Sequence, residues 1–247
     1  MSSEIWLVGP HAVELALQRH AERALELRVV RGEPERRLGG LIEQARRLGV
    51  AVQRSDADAL ARASGEQRHQ GIGLRFRALP QRGENDLEEL LNAATPPLLL
   101  VLDQVQDPHN LGACLRVAAA AGCNAVIVPK DRAAGLTPAV HRAAVGTSLI
   151  VPLLQVTNLA RCLDQLKQAG VWLAGTAGEA SDSVYTQDYR GAFGFVLGAE
   201  GEGMRKLTRE RCDYLVRIPM APDVESLNVS VAAGICLFEA VRQRAAS

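Results

Sequence analysis

Residues 98–116 read Leu98-Leu99-Leu100-Val101-Leu102-Asp103-Gln104-Val105-Gln106-Asp107-Pro108-His109-Asn110-Leu111-Gly112-Ala113-Cys114-Leu115-Arg116. The five consecutive apolar residues Leu98 to Leu102 predict a strand covered on both faces, because a strand with one wet face alternates instead. Asp107-Pro108 predicts a turn. Asn110 is placed to cap a helix starting near Leu111, with Leu111, Leu115 and Ala118 on its inner face. A covered strand that turns through polar residues into a helix is the building unit of a parallel α/β sheet.

The unit recurs downstream. Strands are predicted at 125–128, 149–151, 171–174, 193–197 and 214–218, most of them separated by helical patterns, notably 111–121, 158–169 and 229–242. A mainly parallel sheet with helices on both faces follows. Residues 1–77 form a smaller α/β unit. Its pattern predicts a Pro-started helix over 9–17, a strand at 25–30, a helix over 34–48 closed by Gly49, a strand at 50–53 and a short helix at 57–63. It ends in a half-buried strand where Ile72, Leu74 and Phe76 alternate with Gly73, Arg75 and Arg77. Residues 78–97, with Pro80, Gly83, Pro96 and Pro97, read as an inter-domain linker, leaving 98–247 as the second domain.

Composition narrows the function classes. The chain has 247 residues, 47% hydrophobic and 23% charged, which is ordinary for a globular protein. No apolar run approaches the roughly 18 residues that cross a membrane. The first residues carry no basic or long apolar region, so a cytoplasmic location is expected. Cys114, Cys123, Cys162, Cys212 and Cys236 form no C-x-x-C pair and have no His at zinc-finger spacing, so they read as small buried hydrophobes and no metal is expected. Charge balances at 28 basic and 28 acidic residues. Of the basic ones, 25 are Arg, the side chain suited to bidentate phosphate contacts, but a GC-rich genome explains that bias as well, so charge alone does not make a nucleic-acid binder.

Two further segments join strand, turn and helix. Val196-Leu197-Gly198-Ala199-Glu200-Gly201-Glu202-Gly203-Met204 has the order G-x-x-G-x-G, which is neither the dinucleotide fingerprint nor a P-loop, and this disfavours a nucleotide-binding oxidoreductase. Its glycines allow close backbone approach to a ligand, with Glu200 as an acceptor at the turn; a plain glycine turn is the alternative. Ile218-Pro219-Met220 runs through a polar loop to Ser226-Leu227-Asn228, where Ser226 and Asn228 are both good cap residues for the helix from Val229. Gly175-Thr176-Ala177-Gly178 follows another predicted strand and has the same character. The first segment, taken alone, also reads as a capping Asn followed by a solvated Arg. The absence of any acidic residue between Arg116 and Asp131 tilts Arg116 toward use.

The three motifs, in this order, resemble those of the SpoU–TrmH family of RNA ribose 2′-O-methyltransferases, within the SPOUT class. Residues 1–77 resemble the ribosomal-protein-like RNA-binding domain of the bacterial enzymes that modify guanosine in 23S ribosomal RNA. The resemblance implies a SPOUT-type parallel-sheet domain with a deep trefoil knot, a homodimer, ribosomal RNA as partner and S-adenosylmethionine as methyl donor, without a metal or a membrane. It implies that Thr176, Gly178, Gly198, Ile218, Met220 and Leu227 line the donor pocket. It further implies that Asn110, Arg116, Glu200, Ser226 and Asn228 gather at the reacting ribose. A ribose methyltransferase acting on tRNA and a non-catalytic RNA-binding assembly protein are the alternatives. The separate N-terminal domain counts against the first, and the presence of Asn110, Arg116, Glu200 and Asn228 against the second.

Overall fold

The computed structural model describes residues 4–32, 36–91 and 95–246. Contacts divide the chain into two units, residues 1–80 with 145–150, and residues 81–144 with 151–247.

The first unit comprises β1 (Glu4–Val8), α1 (Pro10–Arg19), β2 (Ala24–Val30), α2 (Arg36–Arg47), β3 (Ala51–Ser55), α3 (Ala57–Ser64) and β4 (Ile72–Arg77). The sheet order is β1-β4-β2-β3, with β4 antiparallel to both neighbours and β2 parallel to β3. Ile72, Leu74 and Phe76 bury into one core with Val13 and Leu17 of α1 and Leu41 and Ile42 of α2. Gly73 faces the other way, where a Cβ would lie 2.9 Å from Leu60 of α3. Strand β1 was not evident in the sequence pattern. The beginning of the helix predicted from Pro34 lies outside the described residues.

The second unit begins inside the segment read as a linker. A 3₁₀ turn at Glu84–Asp86 leads into α4 (Leu87–Leu91), and Leu87 is buried in this unit's core; residues 92–94 lie outside the described residues. Glu84 ties the segment down. Its carboxylate accepts the N–H groups of Thr157 and Asn158 at 3.1 and 3.3 Å and meets Arg161 at 2.8 Å. Desolvation pushes the Glu84 carboxyl upward, but those donors outweigh it and hold its pKa below the ordinary value.

The remaining elements are β5 (Leu98–Asp103), α5 (Pro108–Ala120), β6 (Ala125–Pro129), α6 (Pro138–Ala143), β7 (Leu153–Val156), α7 (Leu159–Gln168), β8 (Trp172–Thr176), β9 (Asp182–Ser183), β10 (Phe193–Gly198), α8 (Lys206–Arg211), β11 (Tyr214–Arg217) and α9 (Val229–Ala245). They build a seven-stranded sheet in the order β7-β6-β5-β10-β8-β11-β9. Every pairing in it is parallel. The strand predicted at 149–151 falls elsewhere. Residues 147–149 form a 3₁₀ turn after Gly146, whose φ of 85° stops an extended run, and the strand begins after Pro152.

The apolar run of β5 is buried on both faces as expected. Leu98, Leu100 and Leu102 join the core beneath α5 and α9, while Leu99 and Val101 join the opposite core with α7. The chain adds β6 and β7 on one side of β5 and the later strands on the other, so the winding reverses between β5 and β10. In open parallel sheets the crevice beyond the carboxyl ends at such a reversal binds ligands.

The five cysteines are free, with Cys212 partly buried and the others buried. Burial pushes their thiols up to about 12, so they serve as packing residues rather than nucleophiles. Arg244, near the end of α9, donates to the carbonyls of Pro96, Pro97, Tyr189 and Gly191. It thereby ties the last helix to the chain entering β5 and β10. Charge-assisted bonds of this kind contribute about 1.5–3 kcal/mol each. Arg244→Ala is expected to lower stability by roughly 2 kcal/mol or more in urea denaturation, because several carbonyls lose their donor together. Arg244→Lys is expected to recover less than half, since one ammonium cannot span the same carbonyls.

Candidate functional site

Asp107, not Asn110, caps α5: its carboxylate accepts the N–H of His109, and Pro108 opens the helix. Pro at the first helical position has its φ already set and no N–H to satisfy, so the helix starts three residues earlier than Leu111. Asn110 is therefore inside the first turn with its amide free for other work. Its Oδ1 accepts a hydrogen bond from Nδ2 of Asn228 at 2.9 Å.

The glycine segment after β10 folds back on itself. The Gly203 N–H reaches the Ala199 carbonyl at 2.9 Å, and Gly201 and Gly203 take φ of 79° and 68°. A Cβ on Gly198 would stand 2.0 Å from the Gly203 backbone. These glycines are thus required by the loop's own closure, which pushes Glu200 out at its tip. Glu200 Oε1 accepts from Nδ2 of Asn228 at 2.7 Å and from the N–H of Val229 at 3.2 Å. The carboxylate so placed also complements the positive end of α9.

Asn228 is the N-cap of α9, its Oδ1 accepting from the N–H of Ser230 at 3.0 Å and from the Ser230 hydroxyl at 2.6 Å. One amide side chain therefore joins all three motifs. Its oxygen holds the helix, and its nitrogen bridges Asn110 and Glu200.

Two clefts open on either side of this junction. The larger, about 480 Å³, is lined by Thr176 and Gly178 after β8, Gly198 and Glu200 after β10, and Ile218, Met220, Ser226 and Leu227 before α9. Arg209 and Glu179 are paired along its lining; the hydrogen bond from Arg209 holds the Glu179 carboxyl below its ordinary pKa. The smaller, about 270 Å³, is lined by Gln104, Asp107, Asn110 and Glu200 among others. Glu200 belongs to both walls.

Arg116 stands apart. It is exposed on α5, lines neither cleft, and its side chain makes no hydrogen bond or ion pair with the described residues. Six residues beyond Asn110 place it ~9 Å along the helix and on a different face. Among the described residues there is no group of three or more His, Cys, Asp or Glu that could hold a metal ion, and no helix is long and apolar enough to cross a membrane.

Two features escaped the sequence reading. Asp103, fully buried at the end of β5, accepts the Arg205 backbone N–H at 2.9 Å and its guanidinium at 2.8 and 2.7 Å. This pair fastens the far end of the Glu200 loop to the central strand. A carboxylate closing an apolar run was the available signal, but a partner 102 residues away is invisible in one sequence. Gln104 follows with φ of 66° and is 9% exposed, a left-handed, buried wall residue with no sequence signature.

The SpoU rRNA Methylase family pattern matches residues 97–238, and a pattern for RNA 2′-O ribose methyltransferase substrate binding matches residues 6–82. The chain belongs to the SpoU rRNA methylase family. It is 52% identical over 240 residues to the 23S rRNA (guanosine-2′-O-)-methyltransferase RlmB of Xanthomonas campestris pv. campestris, covering 97% of this chain and 96% of that one. It is 51% identical to the RlmB of Vibrio cholerae over the full length of both. The crystal structure of the SpoU methyltransferase AviRb from Streptomyces viridochromogenes, in complex with AdoMet, has the same fold, with a TM-score of 0.81 at 24% identity over 99% of this chain and 92% of that one. An RNA 2′-O ribose methyltransferase structure superposes with a TM-score of 0.80 at 29% identity, over 99% and 90% of the two chains.

Removing the Asp103 carboxylate leaves Arg205 without its partner, and losing one member of a buried ion pair costs about 3–5 kcal/mol. Because Arg205 is partly exposed, Asp103→Ala is expected to cost about 2–3 kcal/mol by urea denaturation. It should also loosen the Glu200 loop, read as faster amide exchange at residues 199–205.

Proposed function

We propose that this protein transfers the methyl group of S-adenosylmethionine to the 2′-hydroxyl of a guanosine ribose in 23S ribosomal RNA, in the bacterial cytoplasm. The observation that carries the reading is the convergence of three distant segments on Asn228, between two clefts at the reversal point of a parallel sheet. Relatives named for this activity share about half of their residues with the chain along its whole length, which favours ribosomal RNA over tRNA. Membership of the SpoU family implies, in this reading, a trefoil knot of the C-terminal segments.

In this reading the larger cleft takes the methyl donor. Thr176, Gly178, Gly198, Ile218, Met220 and Leu227 supply walls that are apolar or offer backbone groups, suited to an adenosine ring and a methionine chain. The smaller cleft takes the target ribose, with Asn110 and Asn228 holding it, Glu200 on the shared border and Ser226 on the donor side. The sulfonium is already activated and the 2′-hydroxyl is a poor nucleophile. As the O–CH3 bond forms the S–CH3 bond breaks, S-adenosylhomocysteine leaves and the hydroxyl proton passes to water. Catalysis therefore consists of aligning an in-line attack and stabilising the charge that grows on the 2′-oxygen.

Arg116 is the cation for that second task. A guanidinium stays protonated in a protein, so it acts by its field and its donors and not as a base. Because it lies outside the clefts of its own chain, the role requires bound RNA or a second copy to complete the site. A homodimer through α9 suits this. The small residues Ala233 and Gly234 of that helix pack inward, Gly234 against Val117 of α5, while Val231 and Phe238 are left about half exposed, seven residues apart on one side.

The direct test is methyl transfer from labelled S-adenosylmethionine to unmodified 23S ribosomal RNA, followed by mapping of the 2′-O-methyl group. No incorporation at a guanosine ribose would overturn the reading. Donor binding followed by calorimetry is expected to persist in the presence of a chelator, since no group of three or more His, Cys, Asp or Glu among the described residues could hold a metal. Arg116→Ala is expected to leave donor affinity nearly unchanged and to reduce turnover by about a hundredfold, the scale of losing one preorganised donor. Phe238→Asp is expected to convert the dimer to a monomer by light scattering without loss of helical content.

A further inference from the structure

A third cleft, about 450 Å³, lies at the same edge of the sheet but on the other side of β5. It is walled by the segment after β6, the turn between β7 and α7, and the start of α8. We propose that this cleft holds a nucleotide flanking the methylated one, with its phosphodiester on Arg132 and Arg205. The proposal rests on the RNA reading above.

Three observations carry it. First, Arg132 is exposed, makes no hydrogen bond or ion pair with the described residues, and adopts φ of 56°. A side chain with a Cβ pays about 1 kcal/mol or more for that left-handed backbone, and such strain concentrates where a group must be presented to a ligand. The loop is pinned on both sides of it, Lys130 N–H to the Val156 carbonyl and Ala134 N–H to the Val105 carbonyl, so the presentation is fixed.

Second, Arg205 is anchored by its Nε and Nη2 to the buried Asp103, and its side chain remains 40% exposed. The rest of the planar fork is held in a set orientation at the cleft, the arrangement that suits bidentate phosphate contact. Third, the wall is apolar where a base or sugar can lie. Leu207 is 51% exposed at the cleft, an otherwise unexplained position for a large hydrophobic side chain, and Pro129, Leu159 and Ala160 also line it. Besides Asp103, which is paired with Arg205, two carboxylates lie nearby. Glu84 is already neutralised by Arg161, and the exposed Asp131 is an acceptor for a ribose hydroxyl or a base amine.

The position fits a strand of RNA running along the sheet edge. β6 and β7 stand one and two strand spacings from β5, ~5–10 Å, which is the reach of a neighbouring nucleotide from a ribose held at Asn110. Such a contact binds the ground state and the transition state alike, so its loss should raise KM and leave kcat little changed.

The test measures binding of unmodified 23S ribosomal RNA to the full-length protein over a range of salt concentrations, beside donor calorimetry and initial rates. Arg132→Glu is expected to weaken RNA binding tenfold or more near 0.1 M salt, with donor affinity unchanged and kcat at saturating RNA within about twofold. Arg132→Gly separates binding from folding. Glycine accepts the left-handed backbone, so its melting temperature should equal or exceed that of the wild type. RNA affinity should still fall, and the slope of log K against log salt should shrink by about 0.7, the value for a single phosphate that is no longer neutralised. Wild-type affinity and slope in both variants would overturn the proposal while leaving the catalytic reading intact. Failure of the wild-type protein to bind or methylate the RNA would overturn both.

Discussion

Parallel strands impose a geometry that the rest of this molecule exploits. Two parallel neighbours cannot be joined by a tight turn, so the chain must cross over the sheet and return, covering both faces and delivering every strand's carboxyl end to one edge. In residues 98–217 all pairings run the same way, and the segments after β5, β8, β10 and β11 consequently emerge together. The reversal of winding between β5 and β10 then opens the crevice in which Asn110, Glu200 and Asn228 meet.

Within that crevice the polar groups do two jobs at once. Asn228 caps α9 with its oxygen and gathers Asn110 and Glu200 with its nitrogen, so the helix that closes the second unit and the site share one side chain. Glu200 likewise satisfies an open N–H at the start of α9 while forming the border of both clefts. Such sharing makes the site stiff, because neither amide nor carboxylate can rotate away without leaving a helix end unsatisfied. Farther back, Asp103 and Arg205 anchor the same loop from behind, and the pair also sets the guanidinium at the edge of the third cleft.

Several charges at this edge of the sheet are held in pairs. Glu84 with Arg161, Glu179 with Arg209, and Asp103 with Arg205 each fix a loop or helix end at the edge where the clefts open. Arg116 and Arg132, like Lys130 and Arg217 of the same unit, have side chains without a hydrogen-bond or ion-pair partner among the described residues. An unpaired cation beside a cleft, as Arg132 is, has the form expected of a group that awaits an anionic partner.

Much of the fold was legible in the chain because local rules govern it. The apolar run of Leu98 to Leu102 is typical of a covered strand, and Gly, Pro and Asn marked most of the turns. The fold class and most of the longer elements of the second unit follow from such short-range patterns, together with the three motifs that carry the family resemblance. The short elements α4, α6, β9 and α8 were not anticipated. Local rules failed where two adjacent signals competed. Asp107-Pro108 outranked Asn110 as the helix start, and Gly146 with Pro152 displaced a strand by four residues. What only the tertiary structure decided is which of the motif residues meet. The partners of Asn228 lie 118 and 28 residues away and that of Asp103 lies 102 away, distances across which one sequence carries no pairing information. The same holds for Arg116 and Arg132. Their residue type is written in the sequence, but whether a neighbour neutralises them is settled by packing, since burial and charge pairing depend on what the whole chain brings alongside.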